Sequence, residues 1–150
     1  GGQSNVLVTD QPLEPESITQ LVKTSEHGAV VTFLGNTRNH NDGHKVMYLE
    51  YEAYEEMAEK MLTRIVEEIR QEWSIEYVSI AHRFGRLEIG EISLVAAVGS
   101  PHRGEAFSAC QYIVNRIKEN VPIWKKEVFQ DGEVWVGIEA TTNSVTVTQS

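Results

Sequence analysis

Lys118, Lys125 and Lys126 fall close together in NRIKENVPIWKKE, between Asn115 and Glu127, with apolar Val121, Ile123 and Trp124 among them. The chain is otherwise acidic, with 22 Asp+Glu against 13 Lys+Arg, so a local lysine cluster marks a place where an anion meets the surface. A lysine desolvated among apolar groups or other cations becomes usable as acid, base or nucleophile. The plainer reading, solvated surface lysines, suits the same residues. Two further cationic groups stand elsewhere. Arg38 lies in the polar run Gly35 to His44, GNTRNHNDGH, together with His40, and His102-Arg103 follow Ser100-Pro101. Guanidinium groups suit bidentate binding of a phosphate. Each stretch also reads as an ordinary loop or capped helix with an incidental cation.

These residues need elements to hold them. Asn5 to Thr9 is expected as a strand, and a short helix follows from Pro15, with Ile18, Leu21 and Val22 as its buried stripe. Gly28 to Gly35, GAVVTFLG, reads as a strand buried on both faces, and the polar run after it as a surface loop. Lys45 to Glu52 alternates as a strand, placing Met47, Leu49 and Tyr51 on one face and Val46 and Tyr48 on the other. From Tyr54 to Trp73 the period becomes helical, and the mixed-charge face of that helix reads as solubility, with Glu56–Lys60 and Arg64–Glu68 as its attractive pairs. Ile75 to Arg83 and Ile92 to Val98 are strands linked through RFGRLEIGE, a connection with a bend or bulge.

Ser100 is expected to cap a helix with Pro101 at its first position, so that free backbone N–H groups point outward beside His102 and Arg103. This helix runs to about Glu119, where Pro122 prevents continuation. Ile123 to Phe129 and Glu133 to Ile138 then form a hairpin across Gln130-Asp131-Gly132. Alternation turns Lys125 and Glu127 to one face of the first strand, and Trp124, Lys126 and Val128 to the other. The whole is one α+β domain over residues 1–150. Residues 1–4 and about 140–150 are expected to be flexible, with Val145 and Val147 able to add an edge strand against a partner.

Several chemistries are disfavoured. A net charge of −9 does not suit a general nucleic-acid binder. Cys110 is the single cysteine, which excludes an intrachain disulfide, and it falls on the apolar side of its helix, where packing outweighs nucleophilic work. Among the histidines only His40 and His44 have a ligand-like spacing, and no helix fixes them. No resident metal or cofactor is expected. Neither Gly-rich phosphate motif is present, nor is a G-x-S-x-G elbow. No apolar run is long enough to span a membrane and no secretory leader opens the chain, so a cytoplasmic location is expected.

Five segments, GAVVTFLGNTRNHN, LEYEAYEEMAEKML, HRFGRLEIGE, SPHRGEAF and KENVPIWKKE, together resemble the large, catalytic subunit of molybdopterin synthase over about residues 28 to 136. The resemblance implies an α/β-hammerhead-like fold, a mixed and mainly antiparallel sheet with two longer helices and one short N-terminal helix. It implies a sulfur transferase that converts cyclic pyranopterin monophosphate to molybdopterin. The sulfur would come from the C-terminal Gly-Gly thiocarboxylate of a small ubiquitin-like subunit, in a heterotetramer built on a central homodimer of large subunits. Carried onto matching positions, Lys118 and Lys125 become the catalytic lysines. Arg38, His102 and Arg103 become the ligands of the substrate phosphate, and Phe33 and Glu127 line the pocket. Two positions depart from the family pattern: Lys126 stands where arginine is common, and the tail after Glu139 carries no basic residue. The same cationic residues are compatible with a phosphoesterase or phosphate-binding transferase without sulfur chemistry, and with a non-catalytic binding module for a ubiquitin-like protein.

Overall fold

The computed structural model describes residues 4–41, 43–130 and 132–136. Two sheets and three helices make up these residues. The first sheet has strands β1 (Asn5–Thr9), β5 (Tyr77–Arg83), β7 (Ile92–Ser100) and β2 (Ala29–Asn36), in the order β1-β5-β7-β2. Its β1–β5 pair is parallel and the other two pairs are antiparallel. The second sheet centres on β4 (His44–Ala53), which pairs with β8 (Ile123–Phe129) on one side. On its other side lie the two-residue β3 (His40–Asn41) and β6 (Gly85–Glu88), and β9 (Gly132–Val136) continues the sheet beyond β8.

Helices α2 (Glu55–Trp73) and α3 (Arg103–Asn120) cover one face of the first sheet. Their apolar stripes meet strand residues of matching parity: Leu62, Ile65 and Ile69 from α2, and Ala106, Ala109 and Ile113 from α3, pack against Val78, Ile80, Ala96 and Val98. Each large aliphatic side chain fully buried here contributes about 1.5–3 kcal/mol. Short α1 (Pro15–Gln20) covers the opposite face, where Ile18 and Val22 meet Ala81, Val95 and Ala97. The two long helices are also clamped across their polar edges. Arg116 donates from Nε and Nη2 to the two carboxylate oxygens of Glu68, both at 2.9 Å, and the Tyr112 hydroxyl donates to Glu68 at 2.6 Å. The Arg116 hydrogen bonds hold the Glu68 carboxyl below its usual range. Glu68, expected on a solvated face with Arg64, is thus a tie between helices.

Other expectations need correction. β2 is not a strand buried on both faces. Among the described residues it is an edge strand, with Leu34 45% exposed. A register shift between Val46 and Tyr48 turns β4 over, so that Val46, Leu49 and Tyr51 share the inner side and Met47 is exposed. The connection RFGRLEIGE contains β6, which pairs with β4 and joins the two sheets. The first of its glycines, Gly85, takes a φ of +92°, a left-handed conformation open to glycine. The polar run after β2 likewise contains β3. The expected mobility of residues 1–4 and 140–150, and the edge strand at Val145 and Val147, lie outside the described residues, apart from Ser4, whose hydroxyl donates to the Glu76 carbonyl at 2.9 Å.

Candidate active site

The helix expected to start at Pro101 starts at Arg103, with His102 as its N-cap residue. Ser100 ends β7 instead, and its Oγ accepts from the His102 N–H at 3.3 Å. The first N–H groups of α3 remain without intrahelical partners, as at any helix start, beside exposed His102 and Arg103. Gly28, Pro101, His102, Arg103 and Gly104 line an open depression of about 460 Å³. The packing beneath it is tight. A Cβ on Gly28 would lie 2.9 Å from the Pro101 carbonyl oxygen, and one on Gly99 would lie 2.2 Å from that of Val22. His27 is fixed there too, with its Nδ1 donating to Val22 O at 2.9 Å and its ring edge-on to Tyr77. The free N–H groups and partial positive charge of a helix start suit an anion.

The lysines lie elsewhere. α3 runs back along β7, as the approach of Cys110 Sγ to Ala96 O shows, so Lys118, fifteen residues after Arg103, stands about 22 Å further along the helix axis. Lys118 is exposed in the last turn. Lys125 follows on β8, opposite Tyr51 of β4, and Tyr51 is in turn opposite Gly85 at the start of β6. β6 begins just past the end of β5, beside Ile92, where β7 starts. Lys125 Nζ is 3.6 Å from Glu127 Oε2, and Glu127 is only 5% exposed. Alternation holds as expected on this strand: Lys126 turns to the opposite face and pairs with Glu50 at 2.8 Å.

Arg38 belongs to the lysine end. The Thr37 N–H donates to Glu91 O, the Gly90 N–H donates to Thr37 O, and Asn36 pairs with Ile92. Ala29, at the other end of β2, pairs with Ser100. Ile92 and Ser100 are eight strand steps apart, about 26 Å. One chain therefore does not bring Arg38, His102, Arg103, Lys118 and Lys125 together. Arg38, Lys118 and Lys125 share one end of the first sheet, and His102 and Arg103 occupy the other. Phe33 lies midway, half-buried on the helix-covered face and paired with Ala96. The side chain of His40 lies outside the described residues. Among the described residues no group of His, Cys, Asp or Glu is arranged to hold a metal.

Two features of the lysine end were not visible as site features in the sequence. Tyr51, Glu52, Ala53, Tyr54, Phe84 and Trp124 line a cleft of about 410 Å³, with the Tyr54 and Trp124 rings edge-to-face at 4.9 Å. The second is His82, buried beneath Tyr51 at a ring distance of 5.4 Å. Its Nδ1–H donates to the Arg83 carbonyl at 3.0 Å, and burial pushes its pKa down to about 4. Cys110, expected to be a packing residue, is buried, and burial pushes its thiol up to about 11. At neutral pH it carries almost no thiolate.

The MoaE protein family matches residues 8–120. The chain belongs to this family. It is 45% identical over 137 residues to the molybdopterin synthase catalytic subunit of Bacillus subtilis, covering 91% of this chain and 87% of that one. It is 46% identical to the subunit of the same name from Nostoc over 144 residues, 95% of this chain and 87% of that one. The crystal structure of molybdopterin synthase from Staphylococcus aureus superposes with a TM-score of 0.83 at 44% identity, covering 90% of this chain and 97% of that one. The α+β architecture expected from the resemblance is thus the architecture of the MoaE family.

Proposed function

We propose that this MoaE-family chain is the catalytic subunit of a molybdopterin synthase. It takes sulfur from the C-terminal thiocarboxylate of a small ubiquitin-like partner and delivers it to cyclic pyranopterin monophosphate. The observation that carries the assignment of the reacting centre is the Lys125–Glu127 pair. A lysine is held 3.6 Å from a nearly buried carboxylate, at the sheet end shared by Lys118 and Arg38. Glu127 orients the ammonium, and Tyr51 stands across the strand from it.

The substrate and the sulfur donor are both anionic. Arg38 at the lysine end, and His102 and Arg103 at the start of α3, supply the groups that suit the cyclic phosphate and the charge that develops as its ring opens. A lysine ammonium at the end that Arg38 shares donates a proton to the departing oxygen or holds the anionic thiocarboxylate beside the pterin carbon. The roles fall to Lys118 and Lys125 as catalytic residues, Arg38, His102 and Arg103 as phosphate ligands, and Glu127 and Phe33 as pocket residues. No helix among the described residues is long and apolar enough to cross a membrane. We place the reaction in the cytoplasm, in an assembly of two copies of this chain with two small subunits.

Reconstitution tests the reading. The chain is mixed with a thiocarboxylated small subunit and the cyclic precursor, and molybdopterin is measured. Product that depends on the partner's thiocarboxylate is expected. Phosphate release without the partner points to a phosphoesterase, and tight complex formation without product points to a binding module. Either result overturns the proposal.

A further inference from the structure

We infer that Arg83 and Glu91 are positioning residues for the reaction: their ion pair sets the turn between β6 and β7, and that turn fixes the backbone on which Arg38 is presented. The inference rests on the assignment of Arg38 to the substrate phosphate made above, and it adds what holds Arg38 in place.

Three observations carry it. The first is that Arg38, itself exposed, is flanked on both sides by fixed backbone. On one side the Thr37 N–H donates to Glu91 O at 3.1 Å, and Thr37 O accepts from the Gly90 N–H at 3.0 Å. On the other, Asn39 O accepts from the Val46 N–H of β4 at 2.9 Å. The chain is also re-aimed just before Arg38. Gly35 pairs with Leu94 and Asn36 with Ile92, which leaves Ser93 as the extra residue of a bulge. The Ser93 hydroxyl donates to Gly35 O at 3.4 Å.

The second is how the turn is held. The Glu91 N–H donates to Glu88 O at 3.0 Å, and the Glu91 carboxylate turns back to accept the Glu88 N–H at 2.7 Å. Its other oxygen lies 3.3 Å from Nη1 of Arg83, whose Nη2 donates to Arg86 O at 3.4 Å. One carboxylate therefore closes the turn, and one guanidinium ties it to the end of β5 and to β6. The Glu88 N–H first, and Arg83 after it, hold the Glu91 carboxyl below its usual range. The pair is thus charged at neutral pH.

The third is the setting. Thr37, the residue before Arg38, is 2% exposed, and the Arg83 side chain is 12% exposed. Arg83 Nε is buried without a hydrogen-bond partner among the described residues. Such burial costs stability. An aliphatic side chain would pack there without that cost but could not hold the turn. A guanidinium moved by about 1 Å loses much of a directional contact to phosphate, so the mount bears directly on what Arg38 can do.

Two experiments on the full chain test this. The first is a double-mutant cycle of Glu91→Ala with Arg38→Ala, read as KM for the cyclic precursor in the reconstituted reaction. Glu91→Ala should raise KM about threefold to tenfold, no more than Arg38→Ala does, and should add less than about twofold once Arg38 is replaced. Arg83→Lys, which keeps a cation for Glu91, should raise KM less than Arg83→Ala. A merely structural role would reduce the active protein, and so the apparent kcat, at an unchanged KM. An unchanged KM in Glu91→Ala, or an equal rise with and without Arg38, overturns the inference.

The second reads the mount by hydrogen exchange of the Thr37 and Gly90 amides. Glu91→Gln keeps an oxygen for the Glu88 N–H and removes the charge facing Arg83. In this variant both amides should exchange at least about tenfold faster, while amides at the centre of the β5–β7 ladder keep their rates and so report an intact fold. Unchanged exchange at Thr37 overturns the mount. If the wild type itself makes no molybdopterin, the function proposed above fails, and the mount is judged by exchange alone.

Discussion

His82 gives the most direct quantitative test of how the lysine end is built. Burial holds its imidazole neutral down to about pH 4 in the folded chain, against an ordinary value of 6.5. The unfolded chain therefore binds the proton first as pH falls, and the folded state loses stability between these two values. Above pH 6.5 the neutral ring imposes no such penalty. The full difference corresponds to roughly 3 kcal/mol, of which roughly 2 kcal/mol is already lost at pH 5. The assay is urea unfolding from pH 7.5 to pH 5, where few carboxylates titrate, on the wild type and on His82→Leu. Leucine lacks both the titrating group and the hydrogen bond to the Arg83 carbonyl. The variant should be about 1 kcal/mol less stable at pH 7.5 and should lack the wild type's acid loss, so the two stability curves converge or cross near pH 5. Parallel curves would refute the reasoning, as would an imidazole resonance of His82 that titrates near 6.5.

Lys118→Ala should abolish molybdopterin formation while leaving association with the small subunit nearly intact in calorimetry; equal loss of binding would make Lys118 a docking residue. Arg38→Ala and Arg103→Ala should each raise KM by roughly tenfold or more, the worth of one charge-assisted hydrogen bond, and an unchanged KM in steady-state assays would count against the phosphate assignment. Glu127→Gln, which keeps the shape and removes the charge beside Lys125, should lower kcat more than it changes KM, and a purely structural role would instead show as lost stability with kcat retained. Gly99→Ala should destabilise by about 1–3 kcal/mol in urea, because its Cβ would lie 2.2 Å from the Val22 carbonyl oxygen.

Features set by neighbours in the sequence were legible there. The helical period from Tyr54 to Trp73 gave α2, and alternation on β8 separated Lys125 from Lys126, as their different carboxylate partners bear out. Features set by distant partners were not. Nothing in AVVTFLGN tells an edge strand from a central one, because the difference lies in whether a second strand arrives. One irregular step between Val46 and Tyr48 was enough to turn Met47 out and Val46 in, and no local residue type announces it. β6 was hidden because its four residues, flanked by Phe84 and Ile89, have a turn-like composition and find their partner in β4. The site divides in the same way. Residue types indicated which side chains suit an anion, but only the β2–β7 register, pairing Ala29 with Ser100 and Asn36 with Ile92, shows that they stand at opposite ends of a sheet.

That division bears on how an acidic chain captures an anionic substrate. A single exposed guanidinium in water attracts a phosphate at contact distance by only about 1 kcal/mol, too little to hold it against a chain of net charge −9. A phosphate is therefore held only where several donors act on it together. The start of α3 offers two adjacent side chains, His102 and Arg103, together with its free N–H groups. The lysine end is arranged differently. Lys125 is committed to Glu127, and removing it would strip a cation from a carboxylate that is 5% exposed, a change that destabilises the fold as well as the chemistry. Exposed Lys118, in the last turn of α3, carries no such structural duty, so its removal isolates the chemical step from the fold that presents it.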